Sequence, residues 1–335
     1  MKGKDIMAQA KQLKDNNKKI IRKQIYLNDK LSKPQIAKET GLSLMTVNNL
    51  VTEMVEEQEL VECGLIPSGG GRPSMTYKLN YNYGYIVFVI TYQDGDNNKM
   101  LFRINNLSGE LVEEVRKETT EIEINTFLPE VDRFFADYKN IYLLVFGLPG
   151  EMADGEITVC DYTNLIGKKF VTYYKERYHV PIIVENDVNA ITFGYSSGQN
   201  EKVNVAGIFF PRKYQPGAGL VLDGKVFRGH NSFAGEVGYL DRSIDWKQFD
   251  YSNKQLIFSI LQRILLSYAV VVAPEKYVIF ADFLEQSDID EIMNELLNHT
   301  SGTYRPYCVL SQEFEEDYVR GITNIGIEEV KRRIM

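Results

Sequence analysis

Near residue 80 the chain changes texture, and one fold cannot host both textures. Before that point, Lys- and Gln-rich helical patterns are separated by short caps. After it, β-branched and aromatic runs alternate with amphipathic helices. Strands leading repeatedly into helices indicate layered α/β architecture, whereas the first segment has the spacing of a small helical module. The sequence therefore predicts an N-terminal module over residues 1–79 and a larger α/β body over residues 80–335. Charge divides at the same place. The whole chain of 335 residues carries 38 Lys and Arg against 46 Asp and Glu, a net charge of -8, which by itself argues against a nucleic-acid partner. Residues 1–79 hold 13 basic against 9 acidic side chains, a balance of +4, leaving 25 against 37, or -12, on the rest. A basic head on an acidic body is the asymmetry of a nucleic-acid-binding module joined to something else; a solvated basic face would show it too.

Inside the head, residues 5–28 read as a helix with Ile20, Ile21, Ile25 and Leu27 on its apolar side. Ser32 is placed to cap a second helix, with Pro34 in its first turn, Gln35 three residues on, and Gly41 at its end. Ser43 then caps a third helix running to about Glu57. Two helices joined by Thr40-Gly41-Leu42-Ser43 form a helix-turn-helix, whose second helix reads DNA. On that helix Val47, Leu50, Val51 and Met54 fall at i, i+3, i+4 and i+7 and predict a buried stripe. Met45, Asn48, Asn49 and Thr52 lie opposite, and Asn amides suit the edges of adenine. With Ser43 and Thr46 at the helix start, Met45, Asn48 and Asn49 are the candidate DNA contacts on this helix. Leu60–Leu65 and Met75–Leu79 flank Ser68-Gly69-Gly70-Gly71-Arg72-Pro73, a β-hairpin wing with Arg72 at its tip, poised for a minor groove.

The three cysteines, Cys63, Cys160 and Cys308, are far apart, offering neither a disulfide framework nor a thiolate zinc site. No apolar signal core follows Met1. The longest apolar stretch, around Ile264–Ala273, is interrupted by Ser267 and Tyr268 and falls short of a bilayer span. A soluble, cytoplasmic protein without a membrane partner is expected. His179 and His299 read as surface residues, and His230 lies beside a Gly-rich stretch where a ligand contact is open to it.

In the body, strands at Tyr85–Tyr92, Lys99–Asn106 and Glu110–Glu118 precede a helix (Phe127–Tyr138), a buried strand (Ile141–Phe146), the turn Gly147-Leu148-Pro149-Gly150, a helix (Lys168–Tyr178) and a strand (Ile182–Glu185). No internal repeat is evident. Five segments occur here in one order: Ser32 to Pro73; Gly147-Leu148-Pro149-Gly150; Glu185-Asn186-Asp187-Val188-Asn189-Ala190; Gly217–Lys225 with Arg228-Gly229 and Ala234-Gly235-Glu236-Val237-Gly238; and Pro274-Glu275. Through them the chain resembles, over nearly its whole length, the ROK family of bacterial sugar-responsive repressors and sugar kinases, in its xylose-repressor-like branch. The resemblance implies a winged helix-turn-helix followed by a two-lobed actin- and hexokinase-like body, with a sugar cleft near residues 185–240. It implies that Asn164, Asn186, Asp187 and Glu236 bind the sugar and that Asp187 stands at the family's base position. Asp187 is suited to accept a hydroxyl proton, and Asn186 and Glu236 to bond neighbouring hydroxyls.

The chain departs from the kinase branch. Where kinases carry an Asp-x-Gly-Gly-Thr phosphate loop it reads Thr91-Tyr92-Gln93-Asp94-Gly95-Asp96-Asn97-Asn98, and where they carry Gly-Thr-Gly it reads Gln215-Pro216-Gly217. Carboxylates at such a loop repel phosphate. Tyr239 replaces the family's zinc-ligating His, and Asp241–Trp246 contains no Cys. No catalytic activity, no cofactor and no metal are expected. The expected function is a DNA-binding transcriptional regulator of sugar metabolism, a repressor acting as a homodimer or higher homo-oligomer on a double-stranded operator, answering to a sugar or sugar-phosphate effector. Two alternatives stay open: an ATP-dependent sugar kinase with an accessory head, and a repressor whose body is only a dimerisation scaffold.

Overall fold

The computed structural model describes residues 2–335 except 69–70, 96, 200–201, 213 and 299–302, with the side chains of 2–8, 68 and 71–72 also left out. Helix α1 (Lys2–Asn28) leads to strand β1 (Leu31–Ser32), helices α2 (Lys33–Thr40) and α3 (Leu44–Glu56), and strands β2 (Leu60–Ser68) and β3 (Gly71–Leu79). The caps are where the residue types require them. Ser32 donates its backbone N–H to Gln35 Oε1 at 2.8 Å, Gly41 closes α2 at φ 71°, and Ser43 Oγ accepts the Thr46 N–H at 3.1 Å. Val47, Leu50, Val51 and Met54 form the buried side of α3 and pack with Ile21, Ile25 and Ile36 on the β2–β3 hairpin. β1 adds to β3 as a third antiparallel strand, Leu31 facing Tyr77.

The body holds two sheets of one design. The first is built from β4 (Tyr85–Asp94), β5 (Asn97–Asn106), β6 (Leu111–Thr119), β7 (Ile141–Leu148) and β10 (Ile182–Asn186), with helix α4 (Leu128–Asp137), the β8 (Gly150–Ala153)–β9 (Glu156–Cys160) hairpin and helix α5 (Phe170–Tyr178) intervening. Its order is β10-β7-β4-β5-β6. After helix α6 (Asp187–Ser197) the second sheet uses β11 (Val205–Phe209), β12 (Gly217–Leu222), β13 (Lys225–Val226), β14 (Lys276–Phe280) and β15 (Tyr307–Leu310) in the order β13-β12-β11-β14-β15. Each sheet is an antiparallel three-strand meander whose first strand pairs in parallel with a fourth, which pairs in parallel with a fifth. The body is thus a topological duplication that no sequence repeat announces.

Alternation along β4 shows how the layers stack. Ile86, Phe88 and Ile90 face the layer between the sheets, whereas Val87 and Val89 face α4 and α5. Helix α6 and the C-terminal helix α9 (Phe314–Ile334) fill the space between the sheets. Helices α7 (Lys254–Val271) and α8 (Gln286–Asn298) cover the far face of the second sheet. The two central helices touch through backbone, because a Cβ on Gly194 would stand 1.7 Å from the Asp317 carbonyl and one on Gly321 1.9 Å from that of Ala190. Helix α7 corrects one expectation. Ser267 and Tyr268 do not interrupt it, and at 18 residues and mean hydropathy 1.3 it reaches bilayer-crossing length and composition. Its Ile257, Leu261, Ile264 and Leu265 are nonetheless buried against the second sheet.

Candidate functional site

A cavity of about 170 Å³ opens where β7, β10 and β11 end, the carboxyl edge at which α/β sheets bind ligands. Its rim is set by glycine. Gly150 sits at φ 136°, and a Cβ there would meet the Val159 carbonyl at 2.1 Å, so the β8–β9 hairpin can fold directly over the cavity. Asn186 caps α6, its Oδ1 accepting the Asn189 N–H at 3.1 Å while its Nδ2 donates to the Gly150 carbonyl at 3.1 Å. Two of its bonding positions therefore hold the cavity's shape. Asp187 follows as the first residue of α6, 5% exposed, and its Oδ1 accepts the Val188 N–H at 2.8 Å.

The cavity is lined by five carboxyl groups: Glu151, Asp161, Glu185, Asp187 and Glu236. Burial, with the charge of Asp161 second, pushes the Asp187 carboxyl up to about 7 in spite of the Val188 bond. Burial alone pushes Asp161 up to about 7. Glu236 rises to about 7 through burial, the charge of Glu151 and a shared hydrogen bond with it. Glu151 Oε1 is otherwise a buried oxygen without a partner, and the proton that Glu236 keeps can be donated to it. Arg228 brings a cation to the wall, but its Nε and Nη2 both donate to Glu185 Oε2. Glu185, 5% exposed, in turn accepts the Asn189 amide. The lining thus favours neutral hydroxyl groups over anions.

Asn186, Asp187 and Glu236 are brought together. Asn164 is not: it is exposed and away from the cavity lining. Tyr162 and Leu165 are the buried anchors of that turn, so Asn164 between them turns outward, and Asp161, just before them, reaches the cavity. Glu151 and Asp161 were missed in the sequence, although Glu151 directly follows the Gly147–Gly150 turn. His179 and His230 are exposed, and His299 lies outside the described residues. Tyr239 stacks near Phe233 with ring centroids 5.7 Å apart, and among the described residues no three His, Cys, Asp or Glu side chains are arranged to hold a metal ion.

The segment at the phosphate-loop position is a closed hairpin. Tyr92 pairs with Lys99, Gln93 with Asn98 and Asp94 with Asn97, so the ladder runs to the tip instead of freeing a row of amides for phosphate. Thr91 Oγ1 donates to the Gly147 carbonyl at 3.1 Å, Tyr92 OH donates to Glu315, and Gln93 Nε2 donates to Tyr214 OH across the cleft at 3.1 Å.

In the N-terminal module, Met45 is 76% exposed, and Asn48, Asn49 and Thr52 are exposed beside it. Ser43 and Thr46 share their hydroxyls at 2.8 Å, which engages both in the cap. Thr52 accepts from Lys33 Nζ at 2.9 Å. The acidic far end of α3 is tied to α1: Glu53 lies 2.7 Å from Lys14 and 2.8 Å from Lys18, and Glu57 2.5 Å from Lys18. Those hydrogen bonds hold Glu53 down at about 2. The Arg72 side chain and the hairpin tip at Gly69 and Gly70 lie outside the described residues.

Residues 94–246 match the family model of the ROK family. A xylose repressor of Caldicellulosiruptor bescii is 27% identical over 242 residues, covering 68% of this chain and 59% of that protein. The chain thus spans about three fifths of the length of such curated relatives. A solved ROK family transcriptional regulator, a homologue of the E. coli MLC protein, superposes with a TM-score of 0.58 at 15% identity, over 96% of this chain and 98% of that one. A ROK hexokinase from Thermus thermophilus gives 0.54 at 16%, over 74% of this chain and 99% of that one. Both likenesses show a shared fold.

Proposed function

Taking as premise that the chain carries a ROK family domain, we propose that it is a DNA-binding transcriptional repressor of sugar metabolism. Residues 1–79 act as a winged helix-turn-helix, and residues 80–335 as a sugar-sensing body without kinase activity. The observation that carries this reading is helix α3, whose apolar stripe is fully used in packing while Met45, Asn48 and Asn49 stand exposed near its capped N-terminal end. That is the end a recognition helix offers to base edges. Ser43 and Thr46 set the angle of the helix, and Arg72 would contribute from the wing. The xylose-repressor relatives and the full-length likeness to a ROK regulator support the same reading.

In the body, Asn186, Asp187 and Glu236 would hold a neutral sugar, and the carboxyl-rich lining, whose cation among the described residues, Arg228, is taken up by Glu185, argues against a sugar phosphate. As a homodimer, the protein would set two heads on half-sites about one DNA turn apart. A gel shift on the gene's own upstream region at low salt tests this. Retardation is expected, and Asn48→Ala with Asn49→Ala should weaken it by about 1–3 kcal/mol per lost base contact. No retardation, or retardation indifferent to both changes, would sink the reading.

A sugar kinase is the second reading, favoured by one observation: an Asp187 carboxyl near 7 suits a general base. Against it stands the closed β4–β5 hairpin, paired up to Asp94 and Asn97, which frees no row of amides among the described residues. A coupled assay should detect no sugar-dependent ADP release; release abolished by Asp187→Asn would reverse the ranking.

A further inference from the structure

Asp187 and Asp161 line a second cavity of about 470 Å³ on the far side from Glu236. The two cavities share Pro149, Asp161, Asp187, Phe209, Pro211 and Tyr214, so they form one continuous cleft. The first alone is below the usual size of a small-molecule site, about 300–1,000 Å³, whereas the second lies within that range. The second has a different wall. Phe314 lies 4.9 Å from Phe209 and 5.9 Å from Tyr92 between ring centroids, giving an unbroken aromatic run from β4 through α9 to β11. Gln93, Asp94, Ser311 and Gln312 stand around it.

The electrostatics exclude phosphate here as well. Among the described residues Arg212 is the cation of this cavity; its Nε sits 3.2 Å from both carboxylate oxygens of Asp282, and its guanidinium lies over the Phe283 ring. Asp94 and Glu315 are paired, with Lys99 at 3.7 Å and Arg116 at 2.7 Å, and Glu316 adds negative charge. Flat apolar faces beside uncharged amides and acceptors match a ligand with apolar ring faces and hydroxyl edges. Those are the surfaces of a sugar ring.

We propose that the effector is a saccharide of at least two rings, one seated against Asp187 and Glu236 and the next against the Tyr92–Phe314–Phe209 wall. This rests on the sugar-sensing reading of the body and names the ligand class for it. Isothermal calorimetry on the full chain would compare xylose with xylobiose and glucose with cellobiose and maltose. One disaccharide is expected to bind at least about tenfold more tightly than its monosaccharide. Phe314→Leu, which lines only the second cavity, should remove that advantage and leave monosaccharide binding unchanged; Gln312→Ala, exposed and outside the core, should reduce it without any risk to folding. Equal binding of both lengths, no binding of any of the five, or competition for the cleft by an adenine nucleotide would overturn the proposal. Gel retardation measured without sugar keeps the two readings separate: retained retardation with no saccharide binding overturns the ligand alone, and absent retardation with tight disaccharide binding overturns the repressor alone.

Discussion

At Asp187 opposing influences meet, and their sizes decide what the carboxyl does. The helix N-terminus and the Val188 N–H favour its charge by about 1 kcal/mol each. Burial at 5% exposure and the neighbouring Asp161 oppose it and win, carrying the carboxyl to about 7. The folded chain therefore holds a proton here that the unfolded chain, with an ordinary carboxyl near 4, has already released. Stability then falls as pH rises from about 4 through about 7, by up to roughly 4 kcal/mol for this one group. Asp161 and Glu236 act in the same direction. The thermal midpoint is expected to be higher at pH 5.5 than at pH 8, and Asp187→Asn should flatten that slope by raising the midpoint at pH 8. A midpoint that climbs toward pH 8 would show the cavity carboxyls to be charged in the folded protein. Glu151 and Asp161 were not legible in the sequence because the hairpin and turn that bring them to Asp187 are set by Gly150 and by the burial of Tyr162 and Leu165. Asn164, read from the resemblance, turns out for that same reason.

Among elements, the α6–α9 crossing is the tightest contact and gives a prediction whose sign runs against helix propensity. Ala in place of Gly inside a helix ordinarily stabilises by about 1 kcal/mol. At Gly321 the added methyl would stand 1.9 Å from the Ala190 carbonyl, so the helices must part. Gly321→Ala is expected to lower unfolding stability by about 1–3 kcal/mol in urea titration; an unchanged or raised midpoint would mean the crossing is looser than its geometry. The crossing also explains what the sequence hid. Helix α3 was legible because Val47, Leu50, Val51 and Met54 repeat at helical spacing and nothing else competes for that face. Helix α9 buries Asp317 and Gly321, the latter against α6, and Gly326 against Phe88 and Val145 of the first sheet, beside Tyr318, Ile322 and Ile325, so its buried surface is not marked by apolar residues alone. The duplicated strand order was invisible because it depends on which backbones pair, while the side chains on the two sheets are free to differ.

At the scale of the whole molecule, α9 joins the two functions the chain is proposed to combine. Its first turn places Phe314 and Glu315 in the cleft wall, and its last turn meets the head, where Arg22 Nη1 donates to the Ile334 carbonyl at 2.8 Å and Lys331 Nζ lies 4.9 Å from the Tyr26 ring centroid. A helix of 21 residues is about 31 Å long and stiff, and its backbone contact with α6 ties it to the helix that starts at Asp187. A ligand that prefers one arrangement of the cleft must then also bias the seating of α1, which is the physical content of coupling between sites. The charge asymmetry fits this division. Lys14, Lys18 and Arg22 are absorbed by Glu53, Glu57 and Glu59, so α1 serves as the joint while α3 keeps its reading end clear. Arg22→Ala cuts the hydrogen bond of α1 to Ile334, leaving the Lys331–Tyr26 contact, without touching the reading face. Operator affinity without sugar should change by no more than a few-fold, whereas release by the effector, expected at about 5- to 150-fold in the unaltered protein, should fall to near none. Titrating operator binding with and without the saccharide identified by calorimetry measures both numbers. An Arg22→Ala protein that still releases DNA fully would place the coupling outside the α9–α1 joint.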